Sequence, residues 1–211
     1  MIARPKGLKV EKKFLRNGWR ENFHRCGFAI ATEDEKLLIR KGFTNFKSFY
    51  RALREFDGLP AIIHMRWANR GVISHENTHP FYISENLVFA HNGTIPILPS
   101  DKEKSDTVTF NEEILQELYK EDKNFLKNRG KRWLIANSIG HSKLVFMNNK
   151  GEQTIINKGL GEEFEGVWYS NDDYKKFPVV SKTVVTTIRN GKVISNTTPI
   201  NSPSKQLAIR S

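Results

Sequence analysis

The sequence has almost no cysteine, no long apolar run and no secretory leader. One cysteine among 211 residues rules out an intrachain disulfide, and a reducing compartment is the natural environment for such a chain. No apolar stretch approaches the roughly 20 residues that a membrane-spanning helix needs. Residues 1–13 are basic but contain no apolar segment typical of a signal peptide. The sequence therefore predicts a cytoplasmic protein that does not interact with a membrane.

Positive charge, in contrast, is in excess and unevenly distributed. The net charge is +11. Residues 1–54 carry 14 Lys and Arg against 5 Asp and Glu, residues 55–173 carry 13 against 18, and residues 174–211 carry 7 against none. Basic ends of this kind predict an anionic partner, either nucleic acid or an acidic protein. The alternative interpretation is a solvated surface that only maintains solubility.

Hydrophobic periodicity predicts antiparallel strands grouped with a few helices, a pattern typical of an α+β layered domain. Helices are predicted over residues 8–22, 46–56, 105–118 and 125–137. Strands are predicted over residues 27–31, 36–42, 61–65, 87–90, 144–147, 154–157, 167–169, 179–188 and 193–194. The last two strands flank Asn190-Gly191, a dipeptide that favours a hairpin turn. One domain is predicted over residues 1–195, and residues 196–211 are predicted to form a polar tail.

Residues 75–79 match the H-E-x-x-H signature of zinc metalloproteases. That chemistry requires both histidines on one face of a helix, one turn apart. Pro80 directly follows His79 and steers it away from helical geometry, while Asn77 and Thr78 are poor helix formers. We therefore treat the match as chance and predict no metal site and no cofactor.

Cys26 is the one candidate sulfur nucleophile in the sequence. His24 lies two residues away, and Arg25 has the charge needed to lower the pKa of a neighbouring thiol. The alternative is that Cys26 is a small buried hydrophobic residue at the start of a strand, and we favour this interpretation.

Two further pairs of residues are candidates for a ligand site. Asn92 and Gly93 follow a predicted strand. A side-chain amide and a backbone N–H that point to the same position form an oxyanion hole, although Asn-Gly is also a common turn. Arg66 ends a predicted buried strand and Asp106 starts a predicted helix. Each residue alone is explained by a structural role; Asp106, for example, can cap the helix. Together the two residues have the charges to hold both ends of an amino acid.

Five short motifs then follow one another along the chain. Residues 64–71 read H-M-R-W-A-N-R-G, residues 77–81 N-T-H-P-F, residues 91–95 H-N-G-T-I, residues 105–107 S-D-T and residues 168–171 W-Y-S-N. In this order they resemble the H-x-R-W-A-T-H-G, N-x-H-P, H-N-G-x-I, S-D-T and Y-S-N blocks of class II glutamine amidotransferases. The resemblance covers about residues 2–171. Residues 3–7, A-R-P-K-G, and residues 39–43, I-R-K-G-F, are similar to a compact, often phage-encoded branch of that family.

The resemblance implies an N-terminal-nucleophile (Ntn) hydrolase fold, a four-layer αββα sandwich of antiparallel sheets. It also implies roles for individual residues. Arg66 matches the arginine that binds the glutamine α-carboxylate, and Asp106 matches the aspartate that binds the α-amino group. Asn92 and Gly93 match the oxyanion hole.

The sequence departs from the family pattern in two places. Asn69 and Arg70 stand where the family has Thr-His, beside the predicted pocket. The family's nucleophile is a cysteine at the mature N-terminus, and the segment around Pro5 matches one that lies several residues beyond it, so the first strand is expected to be short and the cysteine is missing.

Three functions therefore compete at this stage. The favoured hypothesis is a catalytically degenerate amidotransferase-like protein that binds nucleic acid or an acidic host protein through its basic termini, and that retains a vestigial pocket for glutamine or a related amino acid. The second is an active glutaminase or amidotransferase, formed by another start or by processing that exposes Cys26. The third is an unrelated basic nucleic-acid-binding module.

Overall fold

The computed structural model describes residues 1–67, 72–99 and 101–175 in full, together with the backbone of two strands at residues 181–189 and 192–200. The chain divides into two units, Met1–Lys175 and Lys176–Ser211. Each unit is described by itself, and the site lies in the first.

Two antiparallel sheets form the centre of the first unit. The larger has six strands in the order β3-β2-β4-β1-β10-β9 and the smaller has four in the order β5-β6-β7-β8. The strands of the larger sheet are β1 (Ile2–Arg4), β2 (Arg25–Ala31), β3 (Leu37–Phe43), β4 (Ala61–Arg66), β9 (Glu162–Phe164) and β10 (Val167–Tyr169). Those of the smaller sheet are β5 (Phe81–Ser84), β6 (Leu87–Asn92), β7 (Lys143–Asn148) and β8 (Gln153–Ile156).

Five α-helices flank the sheets: α1 (Lys12–Glu21), α2 (Phe46–Arg54), α3 (Asp106–Phe110), α4 (Gln116–Glu121) and α5 (Arg129–Ile139). A π-helical turn, Asn111–Leu115, joins α3 to α4. Polar side chains cap several helix starts; Asn45 accepts hydrogen bonds from the backbone N–H groups of Lys47 and Ser48, and Asn128 accepts one from Lys131.

Three hydrophobic clusters separate four layers. The first cluster packs α1 and α2 against the outer face of the larger sheet and includes Phe14, Phe28 and Phe49. The second packs α3, α4 and α5 against the outer face of the smaller sheet. The third lies between the sheets and consists of small and aliphatic residues, with Trp168 at one side. This helix–sheet–sheet–helix order confirms the predicted α+β fold.

Alternation along β4 determines which of its side chains face the site. Ala61, Ile63 and Met65 belong to the helix-facing cluster, whereas Ile62 belongs to the cluster between the sheets. Successive side chains on a strand point to opposite faces, so His64 and Arg66 share the inner face with Ile62.

Most predicted elements are present with shifted ends. The helix predicted over residues 8–22 is shorter, and the strand predicted over 87–90 extends to Asn92. The helix predicted over residues 125–137 splits into a 3₁₀ turn, Phe125–Lys127, and α5. β5 and β9 were not predicted: β9 contains two glutamates, which are depleted in strands, and β5 forms through its pairing with β6.

The second unit contains a hairpin of β11 (Ser181–Arg189) and β12 (Lys192–Ile200). Arg189 pairs with Lys192, which agrees with a hairpin between these two strands. The turn dipeptide itself lies outside the described residues. The polar tail was predicted to begin at residue 196, but β12 extends to Ile200. Thr and Ile in residues 196–200 favour a strand, whereas Asn and Pro in the same residues favoured the prediction of a tail. The predicted domain bounds otherwise stay a prediction.

Within the part of the chain that the structure describes, no helix has both the length and the apolar content to cross a membrane.

Candidate functional site

Arg66 is the last residue of β4, and only 4% of its surface is exposed. Its Nη1 donates a hydrogen bond to the carbonyl oxygen of Val72 at 3.1 Å. Burial lowers the pKa of the Arg66 guanidinium, while the negative charge of Asp106 acts in the opposite direction. The two charged residues of the predicted clamp therefore lie within electrostatic range of each other.

Asp106 is the first residue of α3 and is buried. The helix cap is Ser105, whose Oγ accepts from the backbone N–H of Val108, and Asp106 is the first residue inside the helix rather than its cap. The Asp106 carboxylate accepts from the backbone N–H groups of Thr107 at 2.8 Å and Ile95 at 2.7 Å. Asp106 thereby fixes the segment that follows the Asn92-Gly93 dipeptide.

Asn92 and Gly93 lie at the end of β6, whose inner face packs against β4. Asn92 Oδ1 is 3.5 Å from the ammonium of Lys143. Gly93 has a φ of 131° and lies against Ser142, so any added Cβ would overlap that side chain. Ser142 in turn donates from Oγ to the carbonyl of Thr94 at 2.9 Å. The chain thus bends directly after β6 at a position that requires glycine, and the role of the dipeptide as an oxyanion hole stays a prediction.

Asn77 links the two charged residues through backbone groups. Its Nδ2 donates to the carbonyl oxygens of Val72 and Glu103, and its Oδ1 accepts from the N–H of Ser105 at 2.8 Å. Val72 is also the hydrogen-bond acceptor of Arg66. A buried amide therefore connects the end of β4 to the start of α3. Asn77 stands in the N-T-H-P-F motif, but no role was predicted for it. The sequence does not show which backbone groups a side-chain amide contacts.

Three histidines are buried beside these residues. The ring centroids of His64 and His79 are 4.2 Å apart, and those of His79 and His91 are 6.1 Å apart. The backbone N–H of His91 donates to Nδ1 of His79 at 3.1 Å, which requires that nitrogen to be unprotonated. His64 Nδ1 and His91 Nε2 are buried and have no hydrogen-bond partner among the described residues.

Burial lowers the pKa of all three histidines. The pKa values of His64 and His79 fall well below the ordinary value of histidine, and that of His91 falls to about 4. In each case burial is the largest cause. The three rings are therefore neutral at pH 7. All three stand in the quoted motifs, but only His79 was considered there, in the zinc match, and no role was predicted for His64 or His91.

The zinc-protease match is not supported by the local structure. Residues 75–79 form turns and bends rather than a helix, as the sequence analysis expected. His75 is exposed and His79 is buried, so the two side chains do not share a helical face. Among the described residues, no group of three His, Cys, Asp or Glu side chains is arranged to hold a metal ion.

Cys26 is fully buried in the core on β2. It belongs to the hydrophobic cluster under α1 and α2, and burial raises the pKa of its thiol well above the ordinary value. The interpretation of Cys26 as a small hydrophobic residue is confirmed.

The rim of the site is only partly described. Residues 68–71, which include the Asn69-Arg70 departure from the family pattern, lie outside the described residues. Trp67 lies beside them with 41% of its surface exposed, and its ring stacks on His24 with centroids 4.6 Å apart.

Comparison with known proteins shows which family the chain resembles. Residues 18–121 match the family model of the class II glutamine amidotransferases. The chain is 29% identical over 177 residues to the isomerizing glutamine–fructose-6-phosphate aminotransferase of Methanococcus maripaludis, an alignment that covers 79% of this chain and 28% of the relative. It is 36% identical over 75 residues to the enzyme of the same name from Staphylococcus aureus, covering 35% of this chain and 12% of the relative.

Among solved structures, the chain is similar to one described as the allosteric regulatory enzyme of purine biosynthesis. That similarity has a TM-score of 0.45 and 20% sequence identity, and it covers 79% of this chain and 40% of the other.

The family match removes the hypothesis of an unrelated basic module. The chain spans less than a third of the length of the first of these relatives. The chain carries a class II glutamine amidotransferase-like domain, distantly related to the glutamine–fructose-6-phosphate aminotransferases.

Proposed function

We propose that this domain binds L-glutamine through Arg66, Asn92, Gly93 and Asp106, and that the 211-residue chain does not hydrolyse it. The observation that carries the proposal is the pair of opposite charges, Arg66 and Asp106, both buried and linked through Asn77. A free amino acid presents one carboxylate and one ammonium group. The pair supplies one partner for each.

The burial of the two charges supports a ligand that is itself charged at both ends. A buried charge is costly unless it is paired and hydrogen-bonded, and the two charged ends of an amino acid match the charges of Arg66 and Asp106 without changing the net charge of the site. Arg66 offers a fork of donors suited to a carboxylate. Asp106 already accepts two backbone hydrogen bonds and, as a carboxylate, has remaining acceptor capacity for an ammonium group.

The state of Cys26 supports binding without turnover. Attack on the side-chain amide of glutamine needs a thiolate close to the ligand. The single thiol of the 211 residues is buried under two helices with a raised pKa. A thiol in that setting is both protonated and shielded from substrate.

The runner-up hypothesis, processing that makes Cys26 the first residue, conflicts with the packing. Cleavage after Arg25 would remove β1 and α1. β1 lies between β4 and β10 within the larger sheet, and Phe14 and Leu15 of α1 are buried in its core. Losing a central strand and a covering helix would expose the core that holds Cys26.

The uneven charge supports a second component of the proposal, an anionic partner. Residues 1–54 carry a net charge of +9, from 14 basic and 5 acidic residues. Nucleic acid and an acidic protein are both compatible with that charge.

Calorimetric titration tests the glutamine proposal. We expect L-glutamine to bind the full chain with micromolar to millimolar affinity and no ammonia to be released over hours. Asp106→Asn removes the charge that faces the ammonium group, and we expect it to weaken binding about 10- to 100-fold, since a hydrogen bond to a charged group contributes about 1.5–3 kcal/mol.

Glu112→Gln is the matched control. It removes an exposed carboxylate, paired with Lys104, from the same helical segment. We expect its affinity to stay within about twofold of the parent. Equal affinities of the parent and Asp106→Asn proteins would contradict the binding site, and ammonia release that disappears in Cys26→Ala would contradict the absence of turnover.

A further inference from the structure

The outer face formed by α1 and α2 carries positive charge almost alone. α1 has four basic residues, Lys12, Lys13, Arg16 and Arg20, against one acid, Glu21. α2 has three basic residues, Lys47, Arg51 and Arg54, and no acid. All seven basic side chains are exposed. We call this surface the α1–α2 face.

Elsewhere on the unit, several lysines are paired with a neighbouring carboxylate. Such pairs join Lys36 to Asp34, Lys104 to Glu112, Lys120 to Glu117, Lys131 to Asp122, Lys158 to Glu163 and Lys175 to Glu162. On the α1–α2 face, five cations have no carboxylate within 4.0 Å among the described residues: Lys12, Arg16, Arg20, Lys47 and Arg51. The other two cations, Lys13 and Arg54, pair with Glu11 and Asp57, so the α1–α2 face keeps a net positive charge.

Aromatic rings at the seam between the two helices hold some of these cations in place. Lys12 Nζ lies 4.8 Å from the ring centroid of Tyr50, and Arg16 Cζ lies 5.3 Å from that of Phe46. Arg54 Cζ lies 6.0 Å from the Tyr50 centroid. Cation–π contacts restrict the side chains, so less conformational entropy is lost when they meet an anion.

We propose that the α1–α2 face binds the phosphate backbone of double-stranded nucleic acid without reading its sequence. This inference rests on the second component of the proposed function, the anionic partner, and names the class of that partner. It is independent of glutamine binding. Lys12, Arg16 and Arg20 follow one another at intervals of four along α1 and span about 12 Å. Each strand of a duplex carries one phosphate per about 3.4 Å of axis, so the row faces several phosphates.

The same contacts favour a duplex over a single strand. Proteins that bind single strands stack bases on open aromatic faces. Here the faces of Phe46 and Tyr50 are occupied by Arg16, Lys12 and Arg54. The exposed atoms available to a partner are therefore mainly cationic groups, which contact backbone rather than bases.

The composition of the face also disfavours an acidic protein. Protein interfaces have a core of apolar and aromatic residues and are depleted in lysine. On the α1–α2 face, the large apolar side chains Phe14, Leu15, Phe49 and Leu53 are buried under the helices. The face offers charge without an apolar anchor.

The test is fluorescence anisotropy of a labelled 20-base-pair DNA duplex with the full chain, at salt concentrations from 50 to 200 mM. The test variant combines Arg16→Glu, Arg20→Glu and Arg51→Glu. The matched control combines Lys123→Glu, Lys127→Glu and Arg129→Glu, which are exposed residues near the helices that cover the other sheet. Both variants change the net charge by the same amount.

We expect the parent to bind with an affinity that falls steeply with salt. The test variant should lose at least tenfold in affinity at 50 mM salt. Its log–log salt slope should be shallower by about 2.7, since each phosphate contact contributes about 0.9. The control should stay within about twofold of the parent.

Equal losses in both variants would mean that net charge alone drives binding, and an unchanged test variant would place the contact elsewhere, including residues 176–211. Either result overturns the inference, as does tighter binding to a single strand of equal length or to an acidic protein alone. Glutamine titration of the same variants should be unchanged, so failure of this inference is distinguishable from failure of the glutamine site.

Discussion

At the residue scale, the site depends on side chains that bond to the backbone. Asp106 holds the N–H of Ile95, Asn77 holds two carbonyls and one N–H, and Ser142 holds the carbonyl of Thr94. These bonds fix the loops around Arg66 independently of any ligand. A preorganised site of this kind spends little binding energy on ordering itself.

The buried histidines make stability depend on pH. His64, His79 and His91 have folded-state pKa values below the unfolded value of about 6.5. Their contribution is therefore fully present above pH 6.5 and is lost as pH falls towards the folded pKa, which is about 4 for His91. We expect urea unfolding to show a loss of about 1 kcal/mol per pH unit for each histidine between pH 6.5 and 5.

Two variants distinguish this effect from general acid sensitivity. His91→Gln removes one buried titrating ring and should reduce the pH dependence of the unfolding free energy. His75→Gln changes an exposed ring and should leave the dependence intact. A free energy of unfolding that is constant from pH 7 to pH 5 would contradict the neutral, buried state of the three rings.

At the scale of elements, the site is built where β4, β6 and α3 end or begin. The sequence predicted these elements because each has a strong local signal: a continuous apolar run in β4 and β6, and a Ser-Asp start for α3. It did not predict the π-helical turn after α3 or the short strands β5 and β9. Those depend on tertiary contacts, such as the bond from Asn111 to the carbonyl of Tyr82, rather than on local periodicity.

Asn77→Ala tests how the elements are joined. The substitution leaves the carbonyls of Val72 and Glu103 and the N–H of Ser105 without their shared partner. An unsatisfied buried group costs about 1–3 kcal/mol, so we expect a loss of about 3 kcal/mol in the free energy of unfolding, together with weaker glutamine binding. Chemical denaturation measures the first and calorimetry the second.

Asn137→Ala is the control for this substitution. Asn137 is exposed on α5, and its side-chain amide donates to the carbonyl of Trp133 within the same helix. Alanine has the higher helix propensity, so stability should be unchanged or slightly increased. If the Asn77 and Asn137 variants were equally stable, the bonds of Asn77 would not join the site as described.

At the scale of the whole molecule, the layer order could be predicted from sequence and the site network could not. Motif order indicated an αββα sandwich, and the three hydrophobic clusters bear it out. The burial of Cys26 was also predicted, from its place at the start of a strand. The linkage of Arg66 to Asp106 through Asn77 needed coordinates, because it joins residues up to 40 positions apart through backbone atoms.

Charge is likewise visible in sequence only as a total. The count of +9 over residues 1–54 does not show that seven of these cations lie on two adjacent helices that contain a single acid, Glu21. Folding separates the charges by surface, and this separation distinguishes an interaction face from general solubility.

The most direct test of the glutamine site is a crystal structure of the 211-residue chain grown with L-glutamine. We expect intact glutamine with its α-carboxylate on the guanidinium of Arg66, its α-amino group on the carboxylate of Asp106 and its side-chain carbonyl directed at Asn92 and Gly93. Cys26 should remain buried and unmodified. Glutamine bound away from Arg66 and Asp106, or covalently attached to Cys26, would contradict the account.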